Sequence, residues 1–253
     1  MSKQLEIVPI YGIPFSKMSL NETVQYLTEA IDNRQTTHVI TANPIMIMAA
    51  LDNPAYERMM RKADLIVPDG AGVVWAAKYG GNPVAERVTG IELLNKLMEQ
   101  GERRRWKVYL LGTTQEIIDA AAEKLQLQYP QVRIVGARNG FFGPEQDDEV
   151  VETIRAAEPE LLFVARGADT QEPWIVKHRD RLGVPLIMGV GGSFDVISGR
   201  LKRAPMAIQK LRLEWLFRLL QEPKRYKRML ALPKFVLKVL RDKEKVTKSR
   251  QTS

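Results

Sequence analysis

Asp69 stands at the end of an apolar run, in 64-DLIVPDGAGVVWAAK-78, with Gly70, Ala71 and Gly72 directly after it. A carboxylate delivered by a strand to a glycine-lined turn has two uses. It can cap the helix that follows by accepting its first N–H groups, or it can take a proton at the mouth of a pocket. Spacing leaves both open, and the cap is the commoner use. Polar residues recur where other apolar runs end. 38-HVITANP-44 ends in Thr41 and Asn43, and 108-VYLLGTTQE-116 ends in Gly112 and Thr113. 161-LLFVARGADTQEPW-174 supplies Gly167 and Gln171, and 186-LIMGVGGSFD-195 supplies Gly191, Gly192 and Asp195. Thr41 and Asn43 serve as readily in a turn as on a ligand. The 189–195 glycines loosely match a phosphate loop but lack G-x-G-x-x-G and a ribose-binding acid at the usual distance. Arg87, in 86-ERVTG-90, is either a cation for an anionic ligand or a solvated loop charge. His38 and His178 read as structural, and the adjacent Asp147 and Asp148 as a solvated helix face.

These residues need a frame that brings run ends together. The runs 38–42, 65–68, 107–112, 132–137, 161–165 and 185–190 are almost continuously apolar, as parallel strands covered on both faces must be. Helical patterns fill the spaces between them. Ser19 to Glu22 and Thr89 to Glu92 are capping boxes, opening helices to about residue 33 and over 91–100. Residues 115–129 and 146–158 are amphipathic at helical period. This alternation predicts an α/β fold with a doubly wound parallel sheet, whose ligands lie beyond the carboxyl ends of its strands. The texture changes at about residue 200. Residues 1–199 form the predicted core, and 200–253 a basic amphipathic helical appendage broken at Pro223 and Pro233.

Composition removes several classes of function. Without cysteine there is no disulfide, thiolate nucleophile or Cys-based metal site, and two histidines cannot make a multi-His cage. No Walker A sequence, G-x-S-x-G elbow, H-E-x-x-H or D-x-D pair occurs. The N-terminus lacks a signal-peptide pattern, and no apolar stretch approaches the ~20 residues of a membrane span. The expectation is a cytoplasmic protein. The net charge of +8 is uneven: from Arg200 onward there are 17 Lys/Arg against 4 Asp/Glu. A basic tail seeks an anionic partner, nucleic acid or anionic lipid. Trp215, Leu216, Phe217, Leu219 and Leu220, then Phe235, Val236 and Leu237, mix bulky apolar groups into that charge, which favours lipid over nucleic acid. A nicotinamide enzyme is disfavoured by the missing dinucleotide fingerprint.

Taken together and in order, 39-VITANPIM-46, 64-DLIVPDGAGVVWAAK-78, 86-ERVTGIELL-94, 108-VYLLG-112, 171-QEPWI-175, 189-GVGGSFD-195, 203-RAP-205 and 214-EWLFRLLQEPKRYKR-228 resemble the WecG/TagA/CpsF glycosyltransferases. The resemblance runs from about residue 5 to residue 230. It implies a Rossmann-like core with a C-terminal appendage, and an inverting enzyme that needs no metal or other cofactor. The reaction it implies moves a sugar from a UDP-sugar donor to polyprenyl-diphosphate-linked GlcNAc at the inner membrane face. The TagA-like branch, the most similar, implies UDP-N-acetylmannosamine and wall teichoic acid synthesis. Relatives also use its uronic acid, glucose or glucuronic acid, and some form oligomers. By the resemblance Asp69 is the general base, and Thr41 and Asn43 position a sugar. Gln171 binds sugar hydroxyls and Asp195 the nucleotide. Arg87 with the appendage residues Arg218, Arg225 and Arg228 stabilises departing UDP, and the appendage closes over the pocket. One loop departs from the pattern. Where relatives read G-x-P-K-Q-E, this chain has Gly167-Ala168-Asp169-Thr170-Gln171-Glu172 after an unusual Arg166, so no lysine role carries over.

Overall fold

The structure is a computed structural model and describes residues 5–248; the end of the expected appendage, 249–253, lies outside them. An antiparallel hairpin, β1 (Ile7–Ile10) and β2 (Ile13–Ser16), precedes α1 (Leu20–Asp32). Then follow β3 (Thr37–Ala42), α2 (Pro44–Asp52), α3 (Pro54–Met60), β4 (Leu65–Pro68), α4 (Ala71–Tyr79) and α5 (Gly90–Arg104). Next come β5 (Lys107–Gly112), α6 (Gln115–Gln128), β6 (Arg133–Arg138), α7 (Asp147–Ala157), β7 (Leu161–Ala165), α8 (Ala168–Leu182) and β8 (Leu186–Gly189). Five further helices end the chain: α9 (Ser193–Ile197), α10 (Met206–Lys210), α11 (Glu214–Gln221), α12 (Tyr226–Met229) and α13 (Ala231–Asp242).

All six expected strands form, in one parallel sheet ordered β4-β3-β8-β7-β5-β6. With helices on both faces, the architecture is Rossmann-like. β4, β7 and β8 are buried throughout, which explains their unbroken apolar runs. Ser19 makes the expected capping box with Glu22. The winding reverses after β4, and β7 and β8 fill the centre later. The glycine run after β8 therefore emerges beside β3, at the position where doubly wound sheets take ligands.

Two expectations need correction. Asp147 is buried rather than solvated. Its Oδ1 accepts from Trp174 Nε1 at 2.9 Å, and its Oδ2 meets Lys177 Nζ at 2.8 Å and His178 Nε2 at 3.0 Å, pinning α7 to α8. Its proximity to these donors explains a burial that the acidic pair alone does not signal. Pro233 does not break a helix either. It lies in the first turn of α13, where its missing N–H would have had no partner.

The segment after residue 200 behaves as two pieces. Among the described residues α10, α11 and α12 bury no side chain, so 200–230 lies over the core as a strap. α13 is part of the core: Phe235, Val239 and the following Val246 are buried with the hairpin, α2 and α4. Phe235 meets the Tyr11 ring edge-on at 6.4 Å, Tyr11 N–H donates to Val246 O at 2.9 Å, and Thr247 Oγ1 donates to Gly80 O at 2.6 Å. The strap is thus held at both ends.

Candidate active site

Sheet register brings the predicted residues to one edge. Ala42 lies beside Pro68, Ile40 beside Gly189, Gly189 beside Val164, and Ala165 beside Gly112. Whatever follows these positions opens on the same side.

Asp69 comes directly after β4, its N–H donating to Ala42 O at 3.0 Å. The cap reading fails: the N-cap of α4 is Gly70, and no side chain caps that helix. Gly70 is there for space, since a Cβ would sit 2.4 Å from Pro44 Cδ. The carboxylate is left facing Arg87. Arg87 Nε donates to Asp69 O at 2.5 Å, and its Nη2 stands 3.8 Å from Asp69 Oδ1. Burial pushes the Asp69 carboxyl up to about 6; Arg87 opposes this, and Glu214 and Glu92 add to it. An acid near 6 is ionised at neutral pH yet holds a proton better than an ordinary aspartate, which suits a general base.

Thr41 Oγ1 donates to Gly189 O at 3.2 Å and ties the end of β3 to that of β8. Asn43 caps α2, its Oδ1 accepting from Ile45 N at 3.0 Å and Met46 N at 3.3 Å, so its amide nitrogen is the end left for a ligand. Gln171 differs from expectation. It is buried, its Nε2 donates to Glu172 Oε1 at 2.6 Å, and its Oε1 accepts the Gly191 N–H at 3.1 Å. With both ends of the amide engaged, Gln171 braces the glycine turn instead of reaching sugar hydroxyls. Gly112 has φ +141°, and a Cβ there would lie 2.2 Å from Ala165 O, so its glycine is required by the close approach of β7.

The strap completes the edge. Arg218 of α11 lies on the turn after β8: a Cβ at Gly192 would sit 1.8 Å from Arg218 Nη2. Arg218 Nε donates to Glu222 Oε2 at 3.4 Å and Arg225 Nη1 to the same oxygen at 2.7 Å. Asp195 faces this pair, 3.8 Å from Arg200. Burial pushes its carboxyl up, against the pull of Arg200, Arg218 and Arg225. Glu214 pairs with Arg87 Nη1 and so links the strap to Asp69. Arg228 is not brought into this group; it stands 3.9 Å from exposed Asp169 at the start of α8. Thus Asp69, Thr41, Asn43, Arg87, Gly191, Gly192, Asp195, Arg218 and Arg225 share one rim, and Gln171 lies beneath it.

Sequence reading missed Glu214 and Glu222. Their signal was there: each is four residues from Arg218, on the same helical side. It also left Arg166 unassigned. Its Nε and Nη2 donate to Gly140 O at 3.1 Å and Phe142 O at 2.9 Å, and its guanidinium lies 4.0 Å from the Phe142 ring centre. Arg166 thus braces the 139–143 loop. That loop borders a cleft of about 630 Å³ with Thr113, Phe141, Gly167 and Thr170 on its walls. Among the described residues no helix is long and apolar enough to cross a membrane.

Comparison with known proteins identifies the family. The family model described as "Glycosyl transferase WecG/TagA/CpsF family" matches residues 8–249. The N-acetylglucosaminyldiphosphoundecaprenol N-acetyl-beta-D-mannosaminyltransferase of Bacillus spizizenii is 34% identical over 249 residues, covering 98% of this chain and 96% of that protein. The Staphylococcus aureus (strain MW2) protein of the same name is 35% identical over 245 residues, covering 96% of each. The chain belongs to the WecG/TagA/CpsF family of glycosyltransferases.

Proposed function

We propose that this glycosyltransferase moves N-acetylmannosamine from UDP-N-acetylmannosamine to the 4-hydroxyl of GlcNAc-diphospho-undecaprenol, with inversion, in wall teichoic acid or related polymer synthesis. The observation that carries the reading is the Asp69 carboxylate at the end of β4 facing Arg87, with Arg218 on the glycine turn of the same sheet edge. The relatives' names supply the sugar and the lipid. In the proposed step Asp69 takes the proton of the acceptor hydroxyl as its oxygen bonds to the anomeric carbon. The bond from that carbon to the UDP oxygen breaks, and the electron pair leaves with UDP. The charge gathered on the diphosphate meets Arg218 at the Gly192 turn, Arg225 beside it and Arg87 beside Asp69. The cleft at the end of β5 and β7 suits the nucleoside, with exposed Phe141 offering a ring face.

The acceptor is a lipid, and the strap suits a peripheral site on anionic membrane at the cytoplasmic face. Trp215, Leu220 and Leu230 of the strap, and Leu237 on the outer side of α13, are exposed among lysines and arginines. The test is UDP release from a panel of UDP-sugars with a short-chain lipid-linked GlcNAc acceptor, and NMR of the product linkage. UDP-N-acetylmannosamine should turn over fastest and give a β-linked product. Preference for another sugar rejects the donor assignment, and an α-linked product rejects inversion. Cosedimentation with anionic but not neutral vesicles tests the surface.

A further inference from the structure

Behind the glycine turn lies a chain of buried polar groups that the proposed chemistry does not use. His38 Nε2 meets Glu172 Oε2 at 2.8 Å, and the two side chains are 0% and 1% exposed. Glu172 Oε1 accepts from Gln171 Nε2 at 2.6 Å, and Gln171 Oε1 accepts the Gly191 N–H at 3.1 Å. A carboxylate only accepts, so the His38 proton on this side is carried by Nε2. The chain therefore has one direction of donation at every link: His38 to Glu172, Gln171 to Glu172, Gly191 to Gln171. Glu172 is the acceptor on which both sides converge.

The surroundings are shaped to this chain. At Gly189 a Cβ would lie 2.2 Å from Gln171 Nε2 and 2.3 Å from Glu172 Oε1, so glycine at the end of β8 makes the room. Gly191 has φ +51°, a conformation that the bond to Gln171 helps to hold. Ser193 N–H closes the turn onto Val190 O at 3.1 Å. The outer side of the same turn carries Arg218, on Gly192. A shift of the turn is thus passed directly to a guanidinium of the rim.

We propose that Glu172 is a positioning residue: the relay from His38 through Glu172 and Gln171 fixes the Gly191–Gly192 turn, and through it the place where Arg218 meets the donor's diphosphate. This rests on the proposed donor reading. A burial this complete, for a carboxylate with two donors and no solvent, is costly unless every partner is kept. Gln at 172 presents an N–H where His38 Nε2 now donates, so either that link opens or His38 moves its proton to Nδ1, a buried nitrogen with no partner to accept from it.

The measurements are UDP affinity by calorimetry, donor KM and kcat by UDP release, and thermal melting, on the full chain. In Glu172→Gln both UDP Kd and donor KM should rise about tenfold to a hundredfold, the scale of one buried polar group left unpaired. kcat at saturating donor should stay within about threefold, because the loss is in ground-state and transition-state binding alike. His38→Leu should repeat that pattern. His38→Gln keeps an N–H for Glu172 and should restore Kd to within about twofold of wild type. A folded Glu172→Gln protein with lowered melting temperature and unchanged UDP Kd and KM overturns the relay and leaves Glu172 a stability residue. If Glu172→Gln does not fold, Gln171→Met, which breaks the link to Gly191 at similar volume, must show the same rise; an unchanged Kd there overturns the proposal equally. Absence of UDP binding by the wild-type protein is a separate result: it removes the donor reading, and the relay's role with it.

Discussion

On the sheet side of the site, Thr41, Gln171 and the glycine turn are tied by hydrogen bonds between buried or half-buried groups. On the strap side, Arg87 meets Glu214, and Arg218 and Arg225 meet Glu222, through ion pairs whose members are 24–35% exposed. Bonds of the first kind are strong because their alternative is an unpaired buried group. Pairs of the second kind contribute about 0.2–1 kcal/mol each, since water and salt replace either partner readily. The contrast suits the proposed reaction. A base must keep its place through every cycle, whereas cations that receive a diphosphate must give up one anion for another. Glu214 and Glu222 are paired with those cations through contacts weak enough to be exchanged.

If the sheet side is the fixed half, removing its carboxylate should cost the most and disturb the rest least. Asp69→Asn should lower kcat by about 10²–10⁴-fold, the range for a general base, with UDP affinity little changed. The wild-type kcat/KM profile should rise with pH through about 6 as Asp69 loses its proton. The stability effect has the opposite sense. The folded pKa of about 6 lies above the ordinary 3.8, so Asp69 favours the fold fully below 3.8 and loses that contribution as pH rises through 6. At pH 7.5 the ionised carboxylate is a burden, and Asp69→Asn should melt no lower than wild type. A clear drop in melting temperature, or a pH limb near 4, breaks the assignment.

The comparison sharpens at the chain's end, where the strap gives way to α13. Phe235 is buried against Tyr11 and close to Gly72, so Phe235→Ala should destabilise by about 3–5 kcal/mol. Leu237→Ala, on the exposed side of the same helix, should fall within about 0.5 kcal/mol of wild type in denaturant melts. Equal losses would mean that α13 is not docked as a core helix.

The same division marks what was legible in the sequence. The five strands β3, β4, β5, β7 and β8 could be read because parallel strands buried on both faces leave long apolar runs, edge strand β6 because its centre is still apolar, and the caps at Ser19 and Thr89 because their partners lie three residues away. The hairpin 7–16 was missed: it holds two prolines, and it gains its place only by packing on β4 and α13. α2 and α3 were missed because Pro44 and Pro54 look like breaks until they are seen at helix starts, each behind an asparagine cap. The site's strand-end residues followed from topology, since sheet register puts run ends together. Glu172 and His38 are 134 residues apart, and Arg87 and Glu214 are 127 apart, so no local pattern announces either pair. Burial of Asp147 was hidden for the same reason. The partners of Gln171 could not be read, because an amide after a strand end looks alike in sequence whether it faces a ligand or a neighbour.

The weak half can be disturbed sterically without touching a charge. Gly192→Ala puts a methyl where Arg218 now lies. The core is not involved, so the melting temperature should hold while kcat/KM for the donor falls by about 10²-fold, the cost of a displacement near 1 Å at a reacting site. Gly192 has φ −89°, a backbone conformation open to alanine, so the effect of the methyl is steric and not backbone strain.

Glu214→Gln gives the smallest effect and the sharpest sign. If Glu214 holds Arg87 in place of the donor's phosphates, neutralising it removes a competitor, and UDP should bind about two- to fivefold more tightly, the equivalent of one partly exposed ion pair. The gain should shrink with added salt, which screens the wild-type pair. If Glu214 instead orients Arg87 for the donor, the same substitution weakens UDP binding. The direction of that one change in calorimetry decides whether the strap competes with the substrate or prepares its site.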